Sequence, residues 1–240
     1  MAETKQTAVA VVVGVGPGLG AALARRFAKE YAVALIARNA DYVQSLAKEI
    51  QNTGGRALAV PADIGDRTQT EAAFTTIREQ LGLPEVLLYN AGSGTWGTVT
   101  ELSPEQYEDT WRVNAYGAFV SAKAVVPDLI ERGRGVLLFT GATAGVKAGA
   151  KSVAFGPAKF ALRGLAQSLA RDLGPKGIHV AWINVDGIID IPRTRERFPR
   201  LQDEDLLKPE AIAETYWHLA HQDRSAWSLE IEVRPFKEKF

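Results

Sequence analysis

Residues 155–159 read FGPAK, which puts a phenylalanine and a lysine four positions apart. At that spacing the two side chains share one helix face, so a hydroxyl on the ring would feel the Lys159 ammonium. Phe155 carries none. A second group with chemical potential is the turn VVGVGPGLGAA, where Gly14, Gly16, Gly18 and Gly20, with Pro17 and Leu19 between them, separate an apolar run from a helical pattern. Glycines in that context let the backbone turn sharply and approach a pyrophosphate, whose charge then rests on free amides at the helix amino end. The alternative is a merely tight turn. The second apolar run ends in ALIARNADY, where a dinucleotide fold meets the adenosine ribose. An acid there would accept from a 2′-hydroxyl, whereas an arginine pairs with a 2′-phosphate. Arg38, followed by Asn39, is that arginine, so NADP(H) is expected in preference to NAD(H). Asp41 is read as the cap of the next helix. Farther on, ADIGD sets Asp63 and Ile64 where the adenine ring would lie.

These residues need a frame that brings them together. Apolar runs at 8–15, 32–37, 56–62, 85–92, 135–141 and 178–185 lack polar alternation, as strands covered on both faces do. Helical periods lie between them; in LGAALARRFAKEY, Leu19, Leu23 and Phe27 share a face and Arg25, Arg26 and Lys29 point elsewhere. Strand and helix therefore alternate, which predicts a three-layer α/β/α fold around a doubly wound parallel sheet. A last strand at 228–233 brings the expected number to seven.

Composition narrows the remaining classes. The chain of 240 residues is 46% hydrophobic, and no linker, charge run or repeat divides it, so one domain over 1–240 is expected. Net charge is zero with the signs interspersed, so neither nucleic acid nor an anionic membrane is an expected partner. No cysteine is present and the three histidines are scattered, so no metal site is expected. The first apolar run is too short to span a bilayer and lacks a basic lead-in, which points to a soluble, cytoplasmic protein binding a small-molecule substrate.

With GVGPGLG at the first turn and YNAGSG at 89–94, the chain resembles the short-chain dehydrogenase/reductase family, whose turn reads TGxxxGxG and whose fourth strand closes with NAG. The likeness runs over essentially the whole chain and implies a Rossmann-type sheet. Gly14, Gly18 and Gly20 fall on the glycine pattern and Asn90, Ala91 and Gly92 on the NAG. Val13 stands where the family has a threonine whose hydroxyl ties the turn to the NAG segment. The family's active site holds an asparagine, a serine, a tyrosine and a lysine. WRVNAYGAF supplies Asn114 and FGPAK supplies Lys159; Phe155 takes the tyrosine position, and Ala142, thirteen residues earlier, takes that of the serine.

The resemblance implies that the tyrosine hands a proton to the substrate carbonyl, that the serine orients it, and that the lysine binds the nicotinamide ribose and lowers the tyrosine pKa. Acid–base catalysis of this kind contributes about 10²–10⁴-fold, and phenylalanine supplies none of it. Thr143 and Ser152 are candidate replacements, as is Lys159 acting through water; backbone capping is the competing role of both hydroxyls. In INVDGIIDIP, Gly187 and Ile189 keep the turn that would hold the nicotinamide carboxamide, while Asp186 and Ile191 replace the family's proline and threonine. Trp96 is a candidate for the substrate pocket, whereas Trp111, Trp182 and His179 are expected in the core. The segment 198–210 falls where the family covers its substrate, and Arg193, Arg195 and Arg197 before it either meet an anionic substrate or face solvent. Helices at 104–131 and 154–173 resemble those through which the family forms dimers and tetramers. Two functions compete: an NADP(H)-dependent oxidoreductase acting on a carbonyl/alcohol pair, and an NADP(H)-binding sensor or scaffold without turnover.

Overall fold

The computed structural model describes residues 8–238; the remaining ends of the expected 1–240 domain lie outside the described residues. β1 (Val9–Val13) is five consecutive buried residues, a pattern possible only for a strand sandwiched between layers. Alternating elements follow: α1 (Leu19–Phe27), β2 (Ala32–Ala37), α2 (Ala40–Asn52), β3 (Arg56–Pro61), α3 (Arg67–Gln80) and β4 (Pro84–Tyr89). Next come α4 (Pro104–Trp111), α5 (Gly117–Arg132), β5 (Gly135–Thr140), α6 (Phe155–Leu173) and β6 (Ile178–Val185). The chain ends with β7 (Ile188–Ile189), α7 (Pro192–Arg197), β8 (Leu206–Leu207), α8 (Pro209–Ala220) and β9 (Glu230–Val233).

Seven strands form one parallel sheet in the order β3-β2-β1-β4-β5-β6-β9. This is the expected Rossmann-type arrangement. After β1 the chain winds outward through β2 and β3, then returns to place β4 on the other side of β1. The loops leaving β1 and β4 therefore diverge and leave a crevice at the carboxyl ends of the strands. One face of the sheet packs Val11, Tyr89 and Phe139 against Phe74, Val125 and Leu162, from α3, α5 and α6. The other packs Val12, Leu35 and Ile183 against Leu23, Val43 and Tyr216, from α1, α2 and α8.

Trp182 is buried in the core, and His179 is buried with its ring nitrogens against the carbonyls of Leu219 and Ser228. Trp111 is not in the core: it is 40% exposed and stacks on Tyr116. Asp41 is not the cap of α2. Asn39 fills that role, accepting from the Tyr42 amide at 3.0 Å, because its extended backbone sits one residue before the helix while Asp41 is already inside the first turn. The continuous helix expected at 104–131 is interrupted by a π-helical turn over Arg112–Tyr116. The two-residue β7–β8 pair and α7 have no counterpart in the sequence reading. Among the described residues, no helix is long and apolar enough to cross a membrane.

Candidate active site

The crevice begins at the turn after β1. Gly14 sits at φ 88°, and a Cβ there would lie 2.4 Å from the Ala91 Cα, so only glycine lets this turn touch the loop after β4. A Cβ on Gly20 would lie 2.4 Å from the Gly14 carbonyl oxygen. No side chain caps α1 and its first turn holds no acid, so its amino end suits an anionic ligand. The hydroxyl missing at Val13 is made good from the opposite loop. The Asn90 Nδ2 donates to the Gly14 carbonyl at 2.9 Å, and the Thr140 hydroxyl donates to Asn90 Oδ1 at 3.2 Å while lying 2.7 Å from the Tyr216 hydroxyl. Side chains from the loop after β4, from β5 and from α8 thus brace the turn.

A cleft of about 820 Å³ opens along this line. The turn 14–20, Arg38 and Asn39 after β2, Asp63 and Ile64 after β3, residues 90–92 after β4 and Ile189 all border it. Arg38 is exposed and has no ion-pair partner among the described residues. Gly187 does not border the cleft; its backbone at φ 148° supports the turn from behind, where a Cβ would lie 2.7 Å from Pro235 Cδ. Ile191 packs on the glycine turn, with its Cγ2 only 2.7 Å from where a Gly18 Cβ would stand. Ile191, expected where the family has a threonine, lines the cleft, as do Thr140 and Glu196, which the sequence did not single out. The one legible sign was a lone hydroxyl closing the apolar run GVLLFT. Arg193 borders the cleft too, whereas Arg195 is held by Asp190 at 2.7 Å and by Asp203 at 2.6 Å.

Beyond residue 92 lies the second half of the site. Lys159 is 3% exposed and its Nζ donates to the Thr140 carbonyl at 2.9 Å. Burial pushes its pKa down to about 8, because the charged form is the one that desolvation penalises. Asn114 sits in the π turn, fully buried. Its Nδ2 donates to the carbonyls of Ser93 at 2.7 Å and Thr110 at 2.8 Å, which leaves Oδ1 buried without a partner among the described residues. A Cβ on Gly92 would be 3.6 Å from that oxygen and 3.7 Å from Lys159 Nζ, so the two polar groups converge on one patch of backbone.

The positions expected to carry hydroxyls hold none. Phe155 opens α6, half-buried, with its ring centroid 5.6 Å from Lys159 Nζ and 5.2 Å from the Trp96 ring. Ala142 has extended backbone at the start of the 3-10 turn Thr143–Gly145. The neighbouring hydroxyls are engaged elsewhere. Thr143 Oγ1 donates to Asp186 Oδ1 at 2.5 Å, and Asp186 also pairs with Arg234. Burial, the largest effect on the Asp186 carboxyl, raises its pKa; the bonds from Thr143 and Arg234 together outweigh burial and hold it below the usual value. Ser152 is buried and donates to the Gly149 carbonyl at 2.8 Å.

The sequence profile of the short chain dehydrogenases matches residues 8–200. The chain belongs to that family. A short-chain dehydrogenase from Rhodopseudomonas palustris superimposes with a TM-score of 0.83 at 33% identity, covering 96% of this chain and 99% of the other. The short-chain dehydrogenase/reductase eriH of Hericium erinaceus is 33% identical over 192 residues, which is 78% of this chain and 76% of eriH. A metagenomic short-chain oxidoreductase solved in complex with NADP aligns at 26% identity with a TM-score of 0.84, covering 97% and 99% of the two chains. Within this short-chain dehydrogenase, the end of the crevice beside β1 and β2 offers a glycine-lined cradle and, in Arg38, a guanidinium with no ion-pair partner among the described residues. Its far end offers an amine and an amide oxygen but no acidic hydroxyl.

Proposed function

We propose that this short-chain dehydrogenase is an NADP(H)-dependent oxidoreductase acting on a carbonyl/alcohol pair through an altered site, in which Phe155 and Ala142 replace the tyrosine and serine. The observation that carries this reading is the convergence of Lys159 Nζ and the orphaned Asn114 Oδ1 beside Gly92. A buried amine and an unpaired amide oxygen are costly to a fold, and a ligand bearing hydroxyls relieves both. The cofactor fits the residues present. The turn 14–20 would take the pyrophosphate and Arg38 the 2′-phosphate; Asp63 and Ile64 would border the adenine, Lys159 would take the ribose hydroxyls, and Gly187 and Ile189 would support the carboxamide. When bound, it supplies the hydride chemistry. The metagenomic relative solved with NADP supports the choice.

The chain's own residues orient and stabilise. Lys159 carries the charge that a developing oxyanion needs, and Asn114 fixes the loop through Ser93. The second reading, a binding protein without turnover, is favoured by one specific fact: both candidate hydroxyls, Thr143 and Ser152, already serve protein acceptors. Calorimetric titration with NADPH and NADH tests the cofactor assignment. A charge-assisted contact from Arg38 is worth about 1.5–3 kcal/mol, so NADPH should bind at least roughly tenfold tighter than NADH, and Arg38→Ala should abolish the difference. Equal affinities in the wild type would sink it.

The association surface is proposed to be the outer face of α4 to α6, where Trp111, Phe119 and Phe160 are exposed by 40, 48 and 43%. Light scattering should return a dimeric or tetrameric mass, and a monomer would contradict the assignment.

A further inference from the structure

Two loops meet beside the reactive end. The Gly97 amide donates to the Lys151 carbonyl at 2.8 Å and Gly97 bridges Ser152, which clamps the segment after residue 92 onto the segment leading into α6. Trp96 projects from one side of this clamp and Phe155 from the other, ring centroids 5.2 Å apart and planes at 47°. Trp96 stays 55% exposed. The pair is therefore a positioned aromatic face that the fold itself leaves largely uncovered, next to Lys159. Aromatic faces favour offset or edge-on contact with another ring.

We infer that Trp96 and Phe155 form the binding wall for a flat conjugated carbonyl compound of the quinone type, an inference that rests on the oxidoreductase reading. Three observations select this class. The wall is aromatic on both sides, which rewards a planar π-system over a puckered one. Among the described residues the site has no free hydroxyl to serve as the acid: Thr143 and Ser152 are committed, and Phe155 carries none. Reduction of a saturated ketone leaves an alkoxide that must find a proton at once. A quinone instead becomes an aromatic oxyanion whose charge is spread over the ring. Two electrons and one proton arrive as hydride from a reduced nicotinamide, and water supplies the second proton to give the hydroquinone. Finally, Lys159 Nζ lies 5.6 Å from the Phe155 centroid, so the wall is backed by an ammonium. That charge stabilises an oxyanion on the ligand and repels a cationic ring such as an iminium.

The test compares 1,4-naphthoquinone with 1-decalone, a saturated ketone on the same carbon frame, by calorimetric binding and by NADPH oxidation. Wild type should bind the quinone roughly tenfold or more tightly than the decalone, and only the quinone should be reduced. Trp96→Ala should erase the binding preference, and Phe155→Leu, which keeps the volume but removes the ring, should weaken it in the same direction. NADPH affinity should be unchanged in both variants, which also reports that they are folded. Equal binding of the two probes, or a preference that survives both substitutions, overturns the wall. Loss of NADPH binding in the wild type with the quinone preference intact instead overturns the cofactor reading and leaves the wall standing.

Discussion

The double substitution F155Y with A142S is expected to raise NADPH-driven reduction of simple ketones by about 10²–10⁴-fold, the usual worth of a positioned general acid. The scaffold for that acid is already assembled. Position 155 lies on the same face of α6 as Lys159, the ring centroid is 5.6 Å from Nζ, and the ring needs one oxygen. Position 142 is partly exposed with extended backbone, so a serine hydroxyl adds without strain. Lys159 would act on the new phenol as a neighbouring cation acts on any acid, favouring its ionised form. The measurement is turnover with a panel of ketones, aldehydes and quinones for the wild type, both single variants, the double variant and the double variant carrying K159A. Gain in the double variant that vanishes with K159A is the expected result. A silent wild type whose double variant turns over would favour the sensor or scaffold reading; a double variant that binds NADPH but reduces nothing in the panel would refute the assignment of these two positions.

A second large effect belongs to stability. Burying the Lys159 ammonium with a pKa of about 8, against the usual 10.5, costs the native state about 3 kcal/mol whenever both states are protonated. The sign follows from proton counts. Below about pH 8 the lysine is charged in both states and the full cost applies. Between about 8 and 10.5 the native amine is neutral while the unfolded one still holds its proton, so native stability rises with pH; above that the cost is gone. Lys159→Met removes the ammonium and forfeits the bond to the Thr140 carbonyl, worth about 1 kcal/mol. The cofactor-free variant should therefore be more stable than wild type by about 2 kcal/mol at pH 7, roughly 5 °C in Tm for a chain of this size. The advantage should fade as the pH is raised to 10. Thermal melts of both proteins across this range decide it, and a difference that is flat with pH would show that Lys159 is not desolvated.

Much of this protein was legible because its constraints are local. The glycine turn announces itself by residues that leave no side chain where backbones touch, and Asn90 to Gly92 stand at the end of an apolar run that can only be a buried strand. The strands from 32 to 37 and from 178 to 185 were readable to the residue, since apolar continuity ends where the layers stop covering them. What stayed hidden depends on pairs distant in sequence. Nothing near Thr143 says that its hydroxyl will be taken by Asp186, 43 positions away. Nothing near Val13 says that Asn90 and Thr140 will replace the missing hydroxyl. Trp111 was expected in the core, but it closes α4, a helix that buries only Thr110, and that exposure is set by packing the sequence does not show.

The π-helical turn over Arg112–Tyr116 has a consequence of its own. The Gly117 amide bonds to the Arg112 carbonyl, five residues back, so the turn holds one residue more than a regular helix would. Each residue advances a helix by about 100°, so α4 and α5 run out of phase by that angle across the turn. The stack of Trp111 on Tyr116, five apart, is the visible sign, since ordinary winding gives that contact to residues four apart. The Thr110 carbonyl takes the Asn114 side chain, and the Val113 carbonyl takes the Tyr89 hydroxyl at 2.5 Å. Asn114 therefore owes its place to a count of residues as much as to its identity. Deleting a single residue between 112 and 116 would restore even winding and rotate this asparagine off its loop, so the turn is the point in this chain where a change of length, rather than of letter, would undo the site.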